Sequence, residues 1–139
     1  MITALIFDFD GLIIDTETPD YQAWQEVFAA HGCALPPAVW ATNVGSGHLF
    51  DPYDHLESLL GHPVDRATIL QTVRARFRAL LGEPTPLPGV VAYLTAAHDL
   101  GLQVGLASSS PRAWVVGYLE QLGLRGHFAA ICTADGKHE

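Results

Sequence analysis

Two kinds of hydrophobic pattern follow one another along the chain. Residues 4–7 form a short continuous apolar run that reads as a buried strand, residues 2–8 in all, ending abruptly on Asp8, Asp10 and Gly11. After it the period changes. Ala23, Trp24, Val27, Phe28 and Ala30 recur at helical spacing, with Thr18 as the cap, Pro19 at the first helical position and Gly32 as the stop. Val39 and Trp40, just past Pro36-Pro37, read as packing inward. Residues 49–61 look helical again, with Leu56, Leu59 and Leu60 on one side. Residues 65–81 are the strongest helix: Ile69, Val73, Phe77 and Leu80 fit a 3.6-residue repeat, and Arg66, Arg74, Arg76 and Arg78 take mostly the opposite, solvated face. The block 19–81 therefore predicts helices and no strand.

Residues 82–89 are the sharpest punctuation in the chain, with Pro84, Pro86 and Pro88 forming a stiff connector. Beyond it the pattern predicts a helix over 90–99, a strand over 102–107, a helix opened by Ser110-Pro111 and stopped by Gly123, and a strand over 129–133. Strand, helix, strand, helix, strand implies parallel pairing with right-handed crossovers. The fold class is thus α/β: a Rossmann-like parallel-sheet core made of residues 1–15 and 87–139, with an α-helical block, residues 16–86, inserted after the first strand.

Composition narrows this further. At 139 residues and 49% hydrophobic content, the chain is one domain, or one domain plus an insert, and argues against disorder. A formal charge of -8, with six Arg and a single Lys (Lys137), disfavours nucleic acid or an anionic membrane as partner. Cys33 and Cys132 match no metal spacing and read as reduced core residues. His31, His55, His62, His98 and His127 show none either. No stretch reaches membrane-spanning length and no basic segment precedes the first apolar run, so the cytoplasm is the expected location.

The candidate chemistry sits at the strand ends. Asp8 and Asp10, two apart in extended backbone, leave the same face, and Gly11 lets the chain turn away. A plain polar turn explains the same residues. In open parallel sheets, however, ligands bind at the carboxyl ends of the strands. Ser108, Ser109 and Ser110 lie at such an end and lead into a helix N-terminus, where free N–H groups and the helix dipole favour an anion. Ser110 alone would cap that helix, which leaves Ser108 and Ser109 as surplus donors for a phosphate.

The run from Phe7 to Glu17, FDFDGLIIDTE, resembles the first signature of the haloacid dehalogenase-like hydrolases, closest to their phosphatase and β-phosphoglucomutase-like branch. Residues 106–110, LASSS, resemble the second signature. The helical block resembles that family's cap, and Pro88-Gly89-Val90 its re-entry into the core. The resemblance implies Asp8 as a nucleophile that forms an aspartyl-phosphate, and Asp10 as general acid and then base. It implies Mg²⁺ bound by the Asp8 carboxylate and the Asp10 main-chain carbonyl, and a phosphoryl group held by Ser108 and the Ser109 N–H. Thr16 would position the cap; Glu17, His48 in the loop 45–48, and Arg112 would be substrate contacts. His48 reads more simply as an exposed loop histidine, and Arg112 equally as a surface arginine. Trp24, Trp40 and Trp114 read as core or cap-interface residues.

The resemblance departs at the C-terminus. The family continues to a Lys-Pro and to a strand carrying acidic metal ligands, whereas Lys137 arrives early with no Pro after it. The chain thus reads as the front portion of such an enzyme, shortened by truncation, frameshift or proteolysis. In the family's strand order this leaves the edge of strand 2–7 unpaired and apolar, open to self-association. Two functions follow: an Mg²⁺-dependent phosphatase of a small, sugar-phosphate-like metabolite, with a phosphosugar mutase as the variant in full-length form, or a catalytically incompetent fragment.

Overall fold

A computed structural model describes residues 2–42 and 50–136. The chain divides into two compact units, residues 1–15 with 83–139, and residues 16–82. The loop 45–48, with His48, and Lys137 lie outside the described residues.

The first unit is α/β. Strands β1 (Ala4–Phe7), β2 (Gln103–Ala107) and β3 (Ala130–Cys132) form a parallel sheet in the order β1-β2-β3. Helices α5 (Val90–Asp99) and α6 (Arg112–Gln121) lie between the strands in sequence; the labels α1 to α4 belong to the second unit. Phe7 pairs with Leu106 and Leu106 with Ile131, so the three carboxyl ends lie at one end of the sheet. The period-2 alternation of strands divides the sheet into two unlike faces. Leu5, Phe7, Val104, Leu106 and Ile131 face a core completed by Phe9, Ile13, Ile14, Leu94, Val115 and Leu119. The row Ile6, Gly105, Ala130 lies on the other face, where Ile6 is 77% exposed.

The second unit holds α1 (Glu17–Ala30), α2 (Pro37–Trp40), α3 (Pro52–Leu60) and α4 (Arg66–Leu81), with no strand among its described residues. Its core is aromatic. Trp24, Phe28, Leu35, Trp40 and Leu56 are buried together, and the His55 ring stacks on Phe28 with centroids 5.8 Å apart. Asp51 caps α3 through Tyr53 N and Asp54 N; Asp65 caps α4 through Ala67 N and Thr68 N. Arg66 is not left to solvent: its guanidinium reaches Asp54 and Glu57 at 2.6 Å each. Arg76 pairs with Glu26 at 2.6 Å.

Several boundaries differ from the sequence reading. Helix α1 begins at Glu17, with Thr16 in the N-cap position, so Pro19 sits within the first turn. Proline is tolerated there because the N–H it lacks would have had no helical acceptor. Cys132 is exposed on the open sheet face rather than in the core, because the strand alternation that buries Ile131 turns its neighbour outward.

Candidate active site

The site is built where β1 runs out. Phe9 N donates to Asp8 Oδ1 at 2.7 Å, and Asp8 stands exposed one residue past the last paired position of β1. Phe9 is fully buried and anchors the turn to the core. Gly11 takes φ 71°, in the left-handed region that glycine enters without a Cβ penalty. Its N–H donates to Ile14 O at 2.9 Å, while Ile13 N donates to Phe9 O at 2.8 Å. The loop therefore folds back on itself and holds Asp10 at its start, half-buried.

The end of β2 supplies the facing wall. Ser108 N donates to Cys132 O at 3.0 Å and Ala134 N to Ser110 O at 3.2 Å, which ties the serine turn to the segment after β3. Ser110 N donates to Ser108 Oγ at 3.0 Å. The serine hydroxyls then turn toward Asp10. Ser110 Oγ donates to Asp10 Oδ2 at 2.6 Å, and Ser108 Oγ approaches the same oxygen at 3.5 Å. The other oxygen, Oδ1, accepts from the Trp114 indole Nε1 at 3.0 Å. Charge-assisted bonds of this kind are roughly twice as strong as neutral ones.

This arrangement corrects two expectations. Ser110 does not cap α6: Pro111 holds the N-cap position with no side-chain cap bond, and the Ser110 hydroxyl is spent on Asp10. At the α6 terminus Arg112 N donates instead to Asp135 Oδ2 at 3.4 Å, while Asp135 Oδ1 accepts from Thr133 Oγ1 at 2.6 Å. Trp114 is not merely a core residue, because its indole reaches the carboxylate. Its ring meets Tyr118, one helical turn on, edge to face at 4.6 Å between centroids. The sequence reads Trp114 as a core or cap-interface residue; the signal passed over is that a half-buried indole N–H needs an acceptor.

The remaining expected residues belong to both units. Ser109 is exposed between its two neighbours, and Arg112 opens α6. Thr16 and Glu17 belong to the helical unit, at the start of α1. Thr16 is buried and its Oγ1 meets no hydrogen-bond partner among the described residues. Asp20, one turn into α1, has its carboxyl pushed up to about 6 by burial and then by the neighbouring Glu17 charge.

The donor set for a cation was tested on this geometry. Magnesium ions are usually held by one or two carboxylates with phosphate and water oxygens completing the shell. Asp8, exposed and engaged at Oδ1 by one main-chain N–H, offers a hard oxygen that fits. The Asp10 carboxylate is committed at both oxygens to hydroxyl and indole donors, so its contribution to a cation falls to its main-chain carbonyl. Among the described residues no three His, Cys, Asp or Glu side chains are grouped to share a metal ion.

Two carboxylates at the end of a parallel strand, facing a serine turn on the next strand, are the arrangement that the resemblance to the haloacid dehalogenase-like hydrolases implies. The sequence profile of that family matches residues 5–139, and the chain belongs to it. YhcW of Bacillus subtilis (strain 168) is 48% identical over 139 residues, covering all of this chain and 63% of its own length. Hexitol phosphatase B of Escherichia coli (strain K12) is 30% identical over 151 residues, covering 96% of this chain and 61% of its own. Among solved structures, a HAD family hydrolase from Deinococcus radiodurans R1, with bound phosphate and sodium, superposes with a TM-score of 0.72 at 25% identity. That match covers 98% of this chain and 62% of the other. The chain thus spans less than two thirds of the length of these relatives. No helix among the described residues is long and apolar enough to cross a membrane.

Proposed function

We propose that this chain carries the nucleophile and the acid/base of an Mg²⁺-dependent phosphatase for a small, sugar-phosphate-like metabolite. The observation that carries the reading is the division of labour between two carboxylates. Asp8 is exposed with a single main-chain bond, whereas Asp10 is fixed at both oxygens. A nucleophile needs an accessible oxygen; a proton shuttle needs a fixed one. Hexitol phosphatase B acts on a phosphorylated compound by its name, and the Deinococcus hydrolase holds phosphate, which supports the substrate class.

In this reading an Asp8 oxygen attacks phosphorus, forming an acyl phosphate while the bond to the leaving oxygen breaks. Asp10 gives its proton to that oxygen. It then takes a proton from water as the water attacks phosphorus and releases Asp8 and inorganic phosphate. The Ser108 hydroxyl and Ser109 N–H hold the phosphoryl oxygens, with Arg112 at the helix start as a further cation. Asp8 and the Asp10 carbonyl would hold Mg²⁺, which would supply charge neutralisation between anionic reactants. Thr16 positions the cap, and Glu17 and His48 serve as substrate contacts.

The test is release of phosphate from p-nitrophenyl phosphate and a panel of sugar phosphates with Mg²⁺, for the chain and for Asp8→Asn. A loss of about 10³-fold or more in the variant is expected. A chain no faster than its Asp8→Asn variant overturns the reading and leaves the catalytically incompetent form. Isomerised product in place of free phosphate would reassign the activity to a mutase.

A further inference from the structure

We propose that Asp135 is a positioning residue for the serine turn, holding residues 108–112 in place from the loop after β3. The inference rests on the reading of that turn as the holder of the phosphoryl group. It starts from how little packing holds the turn. Ser109 and Pro111 are exposed, and Ser108 and Ser110 are only half-buried, so no side chain of residues 108–111 roots it in the core. Segments with few buried contacts open at little cost. Hydrogen bonds must hold this one, and the main-chain bonds that tie it down run to the segment after β3.

Three ties follow one another along the two segments. Strands β2 and β3 stay in register as far as Ala107 and Cys132. Ser108 N then donates to Cys132 O at 3.0 Å, as the next rung of a parallel ladder would. A regular ladder would go on to join Ala134 N to Ser108 O. Instead Ala134 N reaches Ser110 O at 3.2 Å, two residues further on, and the extra residues form the serine turn. Pro111 has no N–H to continue with. The following amide, Arg112 N, is the first of α6, and it donates to Asp135 Oδ2 at 3.4 Å. A carboxylate is favoured there by the positive end of the helix dipole. Asp135 thus closes the excursion on the side where the main chain cannot.

Asp135 is itself exposed, and a buried neighbour fixes it. Thr133, 5% exposed, donates through Oγ1 to Asp135 Oδ1 at 2.6 Å, and Thr133 O accepts from Gly136 N at 3.0 Å. The hold therefore runs from the buried end of β3 through Thr133 and Asp135 to the start of α6. What it steadies is the part of the site with two tasks. Ser108 and the Ser109 N–H are the proposed phosphoryl donors, and the Ser110 hydroxyl donates to Asp10 Oδ2 at 2.6 Å. A displacement of about 1 Å in such groups can cost up to about a hundredfold in rate.

The experiment compares the whole chain with Asp135→Ala and Asp135→Asn. Asparagine keeps the geometry without the charge: its Oδ1 accepts from Arg112 N, its Nδ2 donates to Thr133 Oγ1, and the hydroxyl turns round to accept. In ¹H–¹⁵N spectra the Arg112 amide should exchange about tenfold faster or more in the alanine variant, with the amide signals of residues 108–110 shifted, and both should return in the asparagine variant. Inorganic phosphate, titrated in the same spectra, should bind about fivefold more weakly to Asp135→Ala and within about twofold of the unaltered chain to Asp135→Asn. For an aryl phosphate, KM should rise about fivefold and kcat fall about twofold in the alanine variant, because the displaced donors already hold the bound substrate. Equal Arg112 exchange in all three chains overturns the proposal. So does an asparagine variant no better than alanine, which would make the charge and not the geometry decisive. Faster exchange with unchanged phosphate affinity and KM reduces Asp135 to a helix cap and overturns the positioning role. An unaltered chain that binds no phosphate overturns the proposal too. One that binds phosphate without turning over overturns only the phosphatase reading, and the exchange and phosphate measurements still decide the role of Asp135.

Discussion

Helices α3 and α4 of the helical unit and the two helices of the α/β unit handle their polar side chains in opposite ways. In the helical unit, acids sit where helix termini need them: Asp51 and Asp65 accept from the opening amides of α3 and α4, and Arg66 clamps Asp54 and Glu57. In the α/β unit, neither α5 nor α6 has a side-chain cap from its N-cap residue. There the polar groups at the helix start, Ser108, Ser110 and Trp114, turn to Asp10. The difference teaches where the chemistry is. A serine beside a helix start usually stabilises that helix; one that forgoes the cap to hold a carboxylate marks a place where local stability has been traded for orientation. The cores differ likewise. One is mainly aliphatic and backs a sheet, the other aromatic and shared among four helices, with no residue common to both.

Separate cores should fail separately, and the largest effects on stability test that. Phe28→Ala empties the centre of the helical unit, where Phe28 is fully buried, and is expected to cost about 3–5 kcal/mol. Leu119→Ala in the α/β unit is expected to cost about 2–5 kcal/mol. Hydrogen exchange should show each loss in its own unit, and the double variant should be additive within about 0.5 kcal/mol. Strong non-additivity would mean that the two cores act as one.

The sheet offers a second contrast. Every described helix of the second unit contributes to its core, but one face of the sheet stays open, along a groove of about 370 Å³ lined by Ile6, Gly105, Ala107, Ala130 and Cys132. Ile6 in that lining is 77% exposed, and Ile2, two residues before β1, is 71% exposed. An apolar, uncharged face of this kind favours association. Ile6→Lys should shift the chain toward monomer in sedimentation experiments at raised concentration. Leu59→Lys, at a similarly exposed leucine of the helical unit, should not. Equal behaviour of the two variants would remove the sheet as the sticky surface.

Much of this fold is legible in the sequence because it is locally encoded. The helix Val90–Asp99 falls where Gly89 and Gly101 bracket an apolar repeat, and the helical block follows from periods that end at Gly32 and Gly61. The start of α1 is less legible, because Thr18-Pro19 imitates a cap and first position while the chain already enters the helix from Thr16. The site divides the same way. Asp8, Asp10 and Ser108 could be found from their places at strand ends. Ser110 and Trp114 could not be assigned to Asp10, because that pairing joins residues about a hundred positions apart and competes with a good local explanation for each. A cap motif and a packed aromatic are both complete without a distant partner.

A smaller effect separates the units by pH. With its carboxyl near 6 in the folded chain against 3.8 for the ordinary group, Asp20 binds more protons folded than unfolded between those values. Its contribution to stability is therefore present in acid and lost as the pH rises through about 6. Partial solvent access reduces the full linkage value to about 1–2 kcal/mol. Asp20→Asn should raise stability by that amount at pH 8 and change little at pH 4, measured as the difference in urea midpoints. No pH dependence in that difference would show that the Asp20 carboxyl is as well hydrated folded as unfolded.

The smallest effects bear most directly on the contrast in capping. Asp51→Ala should cost about 1 kcal/mol, with Asp51→Asn recovering most of it, because either side chain can accept from Tyr53 N and Asp54 N. The amides of the first turn of α3 should exchange faster in the alanine variant. Ser110→Ala should leave the first-turn amides of α6 unchanged, since Pro111 occupies the cap position and Asp135, not Ser110, faces Arg112 N. Its effect should appear instead in the Trp114 indole signal, through the shared carboxylate. Fraying of α6 in Ser110→Ala would return that hydroxyl to an ordinary helix-capping role and dissolve the distinction between the two units.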